Sequence, residues 1–403
     1  MLALPVVLLA ALSVVLIGSG PGVLSRLLDT RLLVALIVLD AALLGWRLIA
    51  ILQAHVDRSR FSIRRWSTWI TATLVMVTLG MHALPAYYSV KAIETLGSVT
   101  LEGGGFLGND APDGVEIPEP SHQPEVRQGE RVTILFVGID YGPGREHQLT
   151  DTMLVATVDP TSGQAAMVSV PRDLYGVSLP DGSSYDAKLN SLMSTASADA
   201  NRYPLGGPGT LKAAIGGLLG TRIHYFAAID LAGMREVIDT IGGIDLTVQS
   251  AVDDPTYHDV FTGETGLYIP VGQHHMDGTL ALGYVRSRMG VGESDFTRAE
   301  RQQEVLTAIA EKLTAGNLLL TLPGLLDAVR DNMATDIPSA RIPDLAAEGQ
   351  EADLGAVERV VLAPPDYVTP EPFSEAGYIL HPNLDAIHEL ADRIFATGTV
   401  LAP

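Results

Sequence analysis

No cysteine occurs among the 403 residues, which removes disulfides, thiolate nucleophiles and cysteine-ligated zinc from consideration. Positive charge is scarce as well. Lysine and arginine number 26 against 47 aspartates and glutamates, a formal net charge of -21, and lysine occurs only at Lys91, Lys188, Lys212 and Lys312. That balance argues against a nucleic-acid partner, because phosphate backbones would be repelled and the basic residues fall in short clusters rather than on a broad face. Other chemistries are missing by motif. Gly206-Gly207-Pro208-Gly209 precedes a helical pattern but lacks the lysine and hydroxyl residue of a phosphate-binding loop, so it reads as a turn. Ser169 has no nucleophile-elbow context, and His274-His275 has no third metal ligand in view and reads as a surface turn.

What is present begins with long apolar runs. Residues 2–18, 32–54 and 66–88 are each near the length a bilayer requires, and the first lacks the basic start of a signal peptide, so the pattern predicts three transmembrane helices. The loop between the second and third runs carries Arg58, Arg60, Arg64 and Arg65 against Asp57, whereas the loop before it has only Arg26 and Arg31 with Asp29. The arginine-rich loop is expected in the cytoplasm, which puts everything after Tyr88 outside. Asp40 and Arg47 lie two turns apart on the second helix and are placed to pair within the membrane. The expected organisation is a membrane domain over residues 1–90, an acidic glycine- and proline-rich linker over 91–130, and an extracytoplasmic domain over 131–403.

In the outer domain, 132–139 is a β-rich run ending at Asp140, and Thr150-Asp151-Thr152 opens a second run to Val158. Strands are also predicted over 164–170, 223–229 and 244–248, and helices over 209–219, 231–241 and 298–313. Asp230 acts as an N-cap and Gly242-Gly243 as a stop. Strands alternating with helices predict an α/β or α+β fold, a mixed sheet flanked by helices, with ligands placed at strand ends.

The densest chemical signal is cationic. Between Tyr284 and Gln302 four arginines and a glutamine occur in nineteen residues of an otherwise acidic chain. A strand over 284–288 would put Arg286 and Arg288 on one face, and a helix from Thr297 would stack Arg298 and Gln302 one turn apart, so that donors converge on an anion. Arg301 has no such assigned partner. Val170-Pro171-Arg172-Asp173 follows a strand, where Arg172 and Asp173 either pair with each other or face a ligand. Lys188 is expected to open a helix whose amides add to its pull on anions. Asp140 and Asp151 either balance the arginines or hold a divalent cation that bridges phosphate oxygens.

Eight motifs in order carry a resemblance: Phe136-Val137-Gly138-Ile139-Asp140, Thr150-Asp151-Thr152-Met153, Ser169-Val170-Pro171-Arg172-Asp173, Lys188-Leu189-Asn190, Ile241-Gly242-Gly243-Ile244, Met276-Asp277-Gly278, Tyr284-Val285-Arg286-Ser287-Arg288 and Asp295-Phe296-Thr297-Arg298 with Arg301-Gln302. From about residue 133 to 312 the chain resembles the LytR-CpsA-Psr family. The resemblance implies a membrane-tethered, extracytoplasmic phosphotransferase that moves a glycopolymer from an undecaprenyl-pyrophosphate carrier to the cell wall, usually to peptidoglycan. It implies pyrophosphate contacts for Arg172, Lys188, Arg286, Arg288, Arg298 and Gln302, magnesium held by Asp140 and Asp151, and catalytic roles for Asp140, Arg172 and Asp173. Regulation through lipid-linked precursors and simple pyrophosphate hydrolysis are the alternatives. Leu149 and Thr150 stand where many relatives have an arginine and a small residue, and Thr297 where many have glycine.

Overall fold

The computed structural model describes residues 30–56, 67–99, 130–140, 149–288, 294–315, 324–325, 327–330, 332–338 and 341–395. They fall into two compact units, one of Met1–Gly97 with Pro338–Gln350 and one of Ser98–Ile337 with Glu351–Pro403.

The first unit contains the helices α1 (Thr30–Val56) and α2 (Ser67–Val99). Among the described residues these two are long and apolar enough to cross a membrane; three were expected, and the 2–18 run lies outside the described residues. Both leave apolar side chains such as Ile49, Leu52, Trp69 and Met76 exposed, as helices that are apolar all round do when lipid surrounds them. Asp40 and Arg47 do not meet directly. His82 of α2 stands between them, its Nδ1 2.6 Å from Asp40 Oδ1 and its Nε2 accepting from Arg47 Nη1 at 3.4 Å. α2 continues nine residues into the expected linker, because residues 91–99 contain no proline and Lys91 lies over the Tyr87 ring one turn back at 5.5 Å. The rest of that linker, 100–129, lies outside the described residues.

In the second unit the chain runs β1 (Val132–Ile139), β2 (Thr150–Val158), β3 (Ala165–Ser169), β4 (Tyr175–Ser178), β5 (Ser184–Lys188), α3 (Leu192–Ala198), α4 (Gly206–Leu219), β6 (Tyr225–Asp230), α5 (Leu231–Thr240) and β7 (Ile244–Val248). It continues through β8 (Val252–His258), β9 (Thr265–Ile269), β10 (Gly272–Met276), α6 (Gly278–Arg286), α7 (Asp295–Ala315) and β11 (Met333–Thr335). After α8 (Ile342–Glu351), which groups with the first unit, come β12 (Glu358–Val361), β13 (Val368–Ser374), β14 (Gly377–Pro382) and α9 (Leu384–Phe395). Six strands form one mixed sheet in the order β11-β6-β1-β2-β3-β12, parallel at β6/β1 and β3/β12 and antiparallel elsewhere. The expected α/β layered fold is thus present, and Gly206–Gly209, expected as a turn, is the first turn of α4.

β1 determines how the two faces of the sheet are used. Leu135, Val137 and Ile139 point to one face and are buried in the main core with Leu211 and Ile215 of α4 and Ile387 and Leu390 of α9. Phe136, Gly138 and Asp140 point to the other face and are only half buried. A second core joins α5, α6, α7 and the strands from β7 to β10 through Ile238, Ile244, Met276, Leu282 and Val305. α5 starts at the predicted cap, where Asp230 accepts from the Gly233 amide at 2.8 Å, and stops where Gly242 and Gly243 take φ of 81° and 80°.

Residues 284–288 are not a strand. Asp277 accepts from the Leu280 amide at 2.8 Å and caps α6, whose Ala281, Leu282 and Val285 recur at helical spacing and are buried. Gly278 permits the crossing of α5 and α6, since a Cβ there would lie 2.2 Å from the Arg235 carbonyl oxygen. Capping and burial outweigh the local β preference of Tyr-Val-Arg.

His224, just before β6, is buried, accepts from the Thr133 amide at 3.1 Å through Nδ1, and faces Glu130 through Nε2 at 3.4 Å. Burial lowers its pKa below the ordinary 6.5, assisted by Arg222 and Lys212 and opposed by Glu130. The unfolded chain therefore binds this proton more readily, so His224 contributes stability above about pH 6.5 that is lost as pH falls through the depressed value. Thermal melts of the full chain from pH 7.5 to 5 are expected to show a falling midpoint. His224→Gln should flatten that dependence.

Candidate active site at the end of the sheet

The topology brings five strand ends to one edge. The carboxyl ends of β1 and β6 lie together because the strands are parallel, as do those of β3 and β12, while antiparallel pairing adds the start of β2. Asp140 leaves β1, Asp151 is the second residue of β2, and Arg172-Asp173 follows β3. From the helical side, α7 supplies Arg298 and Gln302 one turn apart, as predicted. Arg286 is the last residue of α6 and Arg288 follows it, so the two reach the site from a helix end rather than from a shared strand face.

These side chains form a continuous ionic network. Arg172 Nη1 donates to Asp151 Oδ1 at 2.7 Å, and its other nitrogens lie 3.6 Å from Asp173 and 3.8 Å from Asp295. Arg288 Nη2 donates to Asp151 Oδ2 at 3.4 Å, Arg298 Nη1 lies 3.0 Å from Asp295 Oδ1, and Arg286 Nη2 lies 3.9 Å from Asp140 Oδ1. Lys188 is the exception among the expected contacts. It ends β5 before a short 3-10 turn rather than opening a full helix, donates to Asp173 at 2.9 Å, and lines neither of the clefts described below. The Arg172 and Asp173 pairing weighed from sequence is present but secondary to Asp151.

The network is short of negative charge where it is deepest. The Arg298 side chain is 5% exposed, and burial, together with Arg288 and Arg172 nearby, pulls its pKa down to about 10 despite Asp295 and Asp151. Burial also opposes the charge of Arg172, but Asp151, Asp295 and Asp173 outweigh it and the pKa is raised. The Nε atoms of both arginines are buried and have no hydrogen-bond partner among the described residues. Buried guanidinium donors without acceptors are suited to an anion.

Two clefts meet at this network. One, of about 940 Å³, is apolar along most of its length: Phe136 of β1, Ala227 and Ile229 of β6, and Leu282, Val285 and Leu306 of the helices line it, with Asp140, Arg286 and Arg288 at its charged end. The other, of about 750 Å³, lies beside Arg172, Asp173, Asp295 and Tyr378. Asp151, Thr152, Arg298 and Gln302 belong to both and form their common wall.

Several supporting residues had no role assigned from the sequence. Asp295, the first residue of α7, joins Arg172 to Arg298. Ser294 and Thr297 cap α7 reciprocally, the Ser294 amide donating to Thr297 Oγ1 at 2.9 Å and the Thr297 amide to Ser294 Oγ at 3.2 Å. The serine three residues before a threonine, just ahead of a helical pattern, was the readable sign. Arg301 is buried, donates from Nη2 to the Ser287 carbonyl at 2.7 Å and lies over the Tyr284 ring at 5.3 Å, so it fixes the segment between Arg286 and Arg288. Ser169 is held by Gln303 at 2.8 Å, and His274 and His275 lie on strand β10, the latter 2.7 Å from Asp245. The glycine-bearing 289–293 segment lies outside the described residues.

Comparison with known proteins agrees with this architecture. The sequence pattern of the LytR_cpsA_psr family matches residues 110–366. A polyisoprenyl-teichoic acid–peptidoglycan teichoic acid transferase, TagU of Enterococcus faecalis, is 30% identical over 57% of this chain and 69% of its own length. Biofilm regulatory protein A of Streptococcus mutans is 30% identical over 53% of this chain and 52% of its own. The crystal structure of Bacillus subtilis TagV superposes with a TM-score of 0.52 at 23% identity, covering 67% of this chain and 98% of that one, a likeness of fold. The chain belongs to the LytR-CpsA-Psr family.

Proposed function

We propose that this protein is a membrane-anchored transferase that moves a glycopolymer from a polyprenyl-pyrophosphate carrier, undecaprenyl pyrophosphate being the expected one, to peptidoglycan. The observation that carries this reading is the common wall: the buried Arg298 guanidinium, with Arg172 on the side of the polar cleft and Arg286 and Arg288 on the side of the apolar groove, matches a ligand that is lipid at one end, diphosphate in the middle and sugar beyond. The E. faecalis relative acts, by its name, on polyisoprenyl-linked teichoic acid and peptidoglycan. Anchoring follows from the two apolar helices, and the arginine-rich 58–65 loop supports an outer location for the domain beyond them.

In the proposed reaction an acceptor hydroxyl oxygen attacks the phosphorus that carries the glycan. A new P–O bond forms, the bond from that phosphorus to the bridging oxygen breaks, and polyprenyl monophosphate leaves with the electron pair. The hydroxyl proton passes to a carboxylate, for which Asp173 is better sited than Asp140, because it lines the polar cleft whereas Asp140 lines only the apolar groove. Arg172, Arg286, Arg288 and Arg298 stabilise charge on the phosphate oxygens and Gln302 adds a neutral donor, which is the main requirement of phosphoryl transfer. Asp140 and Asp151, on adjacent strands and lining one groove, are an oxygen donor set suited to magnesium, which commonly takes one or two carboxylates and completes its shell with phosphate and water. Among the described residues no group of three or more such ligands is gathered. Bound there, magnesium would neutralise phosphate charge.

Two measurements test this reading. In titration calorimetry of the full chain in detergent, farnesyl pyrophosphate is expected to bind at least tenfold more tightly than farnesyl monophosphate, with magnesium strengthening the binding. Equal affinities would contradict a diphosphate site. In a reconstituted assay with lipid-linked oligosaccharide and peptidoglycan fragments, Arg286→Ala and Arg288→Ala should each cost about 2 to 4 kcal/mol of transition-state stabilisation, a rate loss of about a hundredfold, without a change in melting temperature. Arg301→Ala, by contrast, should lower the melting temperature and reduce transfer less. Release of polyprenyl monophosphate and glycan phosphate from the donor without acceptor would identify hydrolysis instead, and tight lipid binding with no turnover a regulatory role.

A further inference from the structure

The polar cleft has one wall that the family pattern does not cover. β13 and β14 form a hairpin after residue 366, where the matched region ends. It is tied firmly to the site. The Leu380 amide donates to the Asp173 carbonyl at 3.0 Å, Leu380 bridges Leu174, and Val368 and Leu380 are buried in the main core. Tyr378 lies two residues before Leu380 and therefore on the same strand face, and both line the cleft. Tyr378 remains 40% exposed, and Phe373, near the hairpin's turn, is 95% exposed. No packing requirement accounts for two aromatic rings left open on an element anchored so well.

Reaction geometry identifies what this wall faces. In-line displacement at phosphorus places the attacking oxygen opposite the leaving oxygen. The leaving group carries the polyprenyl chain, and the apolar groove lies on one side of the Asp151, Arg298 and Gln302 wall. The nucleophile must then arrive from the other side, which is the cleft lined by Tyr378. That cleft offers what a pyranose ring binds: an aromatic face for its C–H surface, and carboxylates at Asp173 and Asp295 to accept from its hydroxyls. Burial raises the pKa of the Tyr378 phenol, and Asp173 and Asp295 raise it further, so the hydroxyl stays protonated and available as a donor.

We propose that the cleft between Arg172 and Tyr378 is the acceptor subsite, and that Tyr378 positions a sugar ring of the acceptor glycan for attack. The proposal rests on the transferase reading above. In the reconstituted assay with the full chain in detergent, Tyr378→Ala is expected to raise the KM for a soluble peptidoglycan fragment about tenfold while leaving the KM for the lipid-linked donor unchanged. Tyr378→Phe, which keeps the ring and loses the hydroxyl, should recover most of that loss and, being the gentler change, serves if the alanine variant folds poorly. An unchanged acceptor KM in both variants overturns the proposal, and so does a raised donor KM, which would put the donor's own glycan in the cleft. Saturation-transfer NMR with the peptidoglycan disaccharide fragment separates the two readings. Tyr378-dependent binding without transfer would sustain the subsite and defeat the transferase. Transfer that is indifferent to Tyr378 would do the reverse.

Discussion

Burial of guanidinium charge at the end of a sheet is the constraint on which the rest of this molecule depends. A charge as enclosed as that of Arg298 persists only with partners, and here they are carboxylates shared with other arginines rather than one private counter-ion. Asp151 serves Arg172 and Arg288, and Asp295 serves Arg172 and Arg298. Such a network holds only if α7, the residues that follow α6, and the segment after β3 are fixed relative to one another. The reciprocal cap of α7, the Arg301 contact with the Ser287 carbonyl and the hairpin bond to Asp173 each fix one of those elements.

Sharing also leaves the network adjustable. The Nε groups of Arg172 and Arg298 have donors to spare, so an entering phosphate improves the balance instead of displacing an existing anion. Preorganised donors of this kind need little rearrangement when charge develops, which is how electrostatic catalysis differs from mere attraction. In the proposed reaction, the division into an apolar groove and a charge-bearing cleft would assign its direction.

Much of this was legible in the sequence because periodicity and capping are local. The β-rich run of β1, the Asp230 cap, the double-glycine stop and the Arg298 and Gln302 pair all follow from neighbours within a few residues. The misread segment, 284–288, has β-favouring residues whose helical state depends on Asp277 seven residues upstream and on packing against α5. Lys188 was expected to open a helix and contact pyrophosphate, but it ends a strand and holds Asp173, fifteen residues back, a partnership that only folding creates. Tyr378 lay beyond reach for the same reason, since nothing beside it in the chain signals that its hairpin folds back onto the end of β3. The one-turn spacing on α7 survived translation into structure because the element was right, whereas the Arg286 and Arg288 convergence survived although the element was wrong.

β1 divides its labour by parity. Leu135, Val137 and Ile139 are buried in the core, and Phe136, Gly138 and Asp140 face the groove, which Val137 and Ile139 also border. The interior that keeps the protein folded and the surface that would measure a lipid chain are therefore adjacent letters of one strand, inseparable in space. A larger or smaller side chain at Phe136 would therefore reshape the groove from the face opposite the core, whereas any side chain at Gly138 would meet Thr152 Cβ at 3.0 Å, so the strand allows the groove to change at one position and resists it at the next.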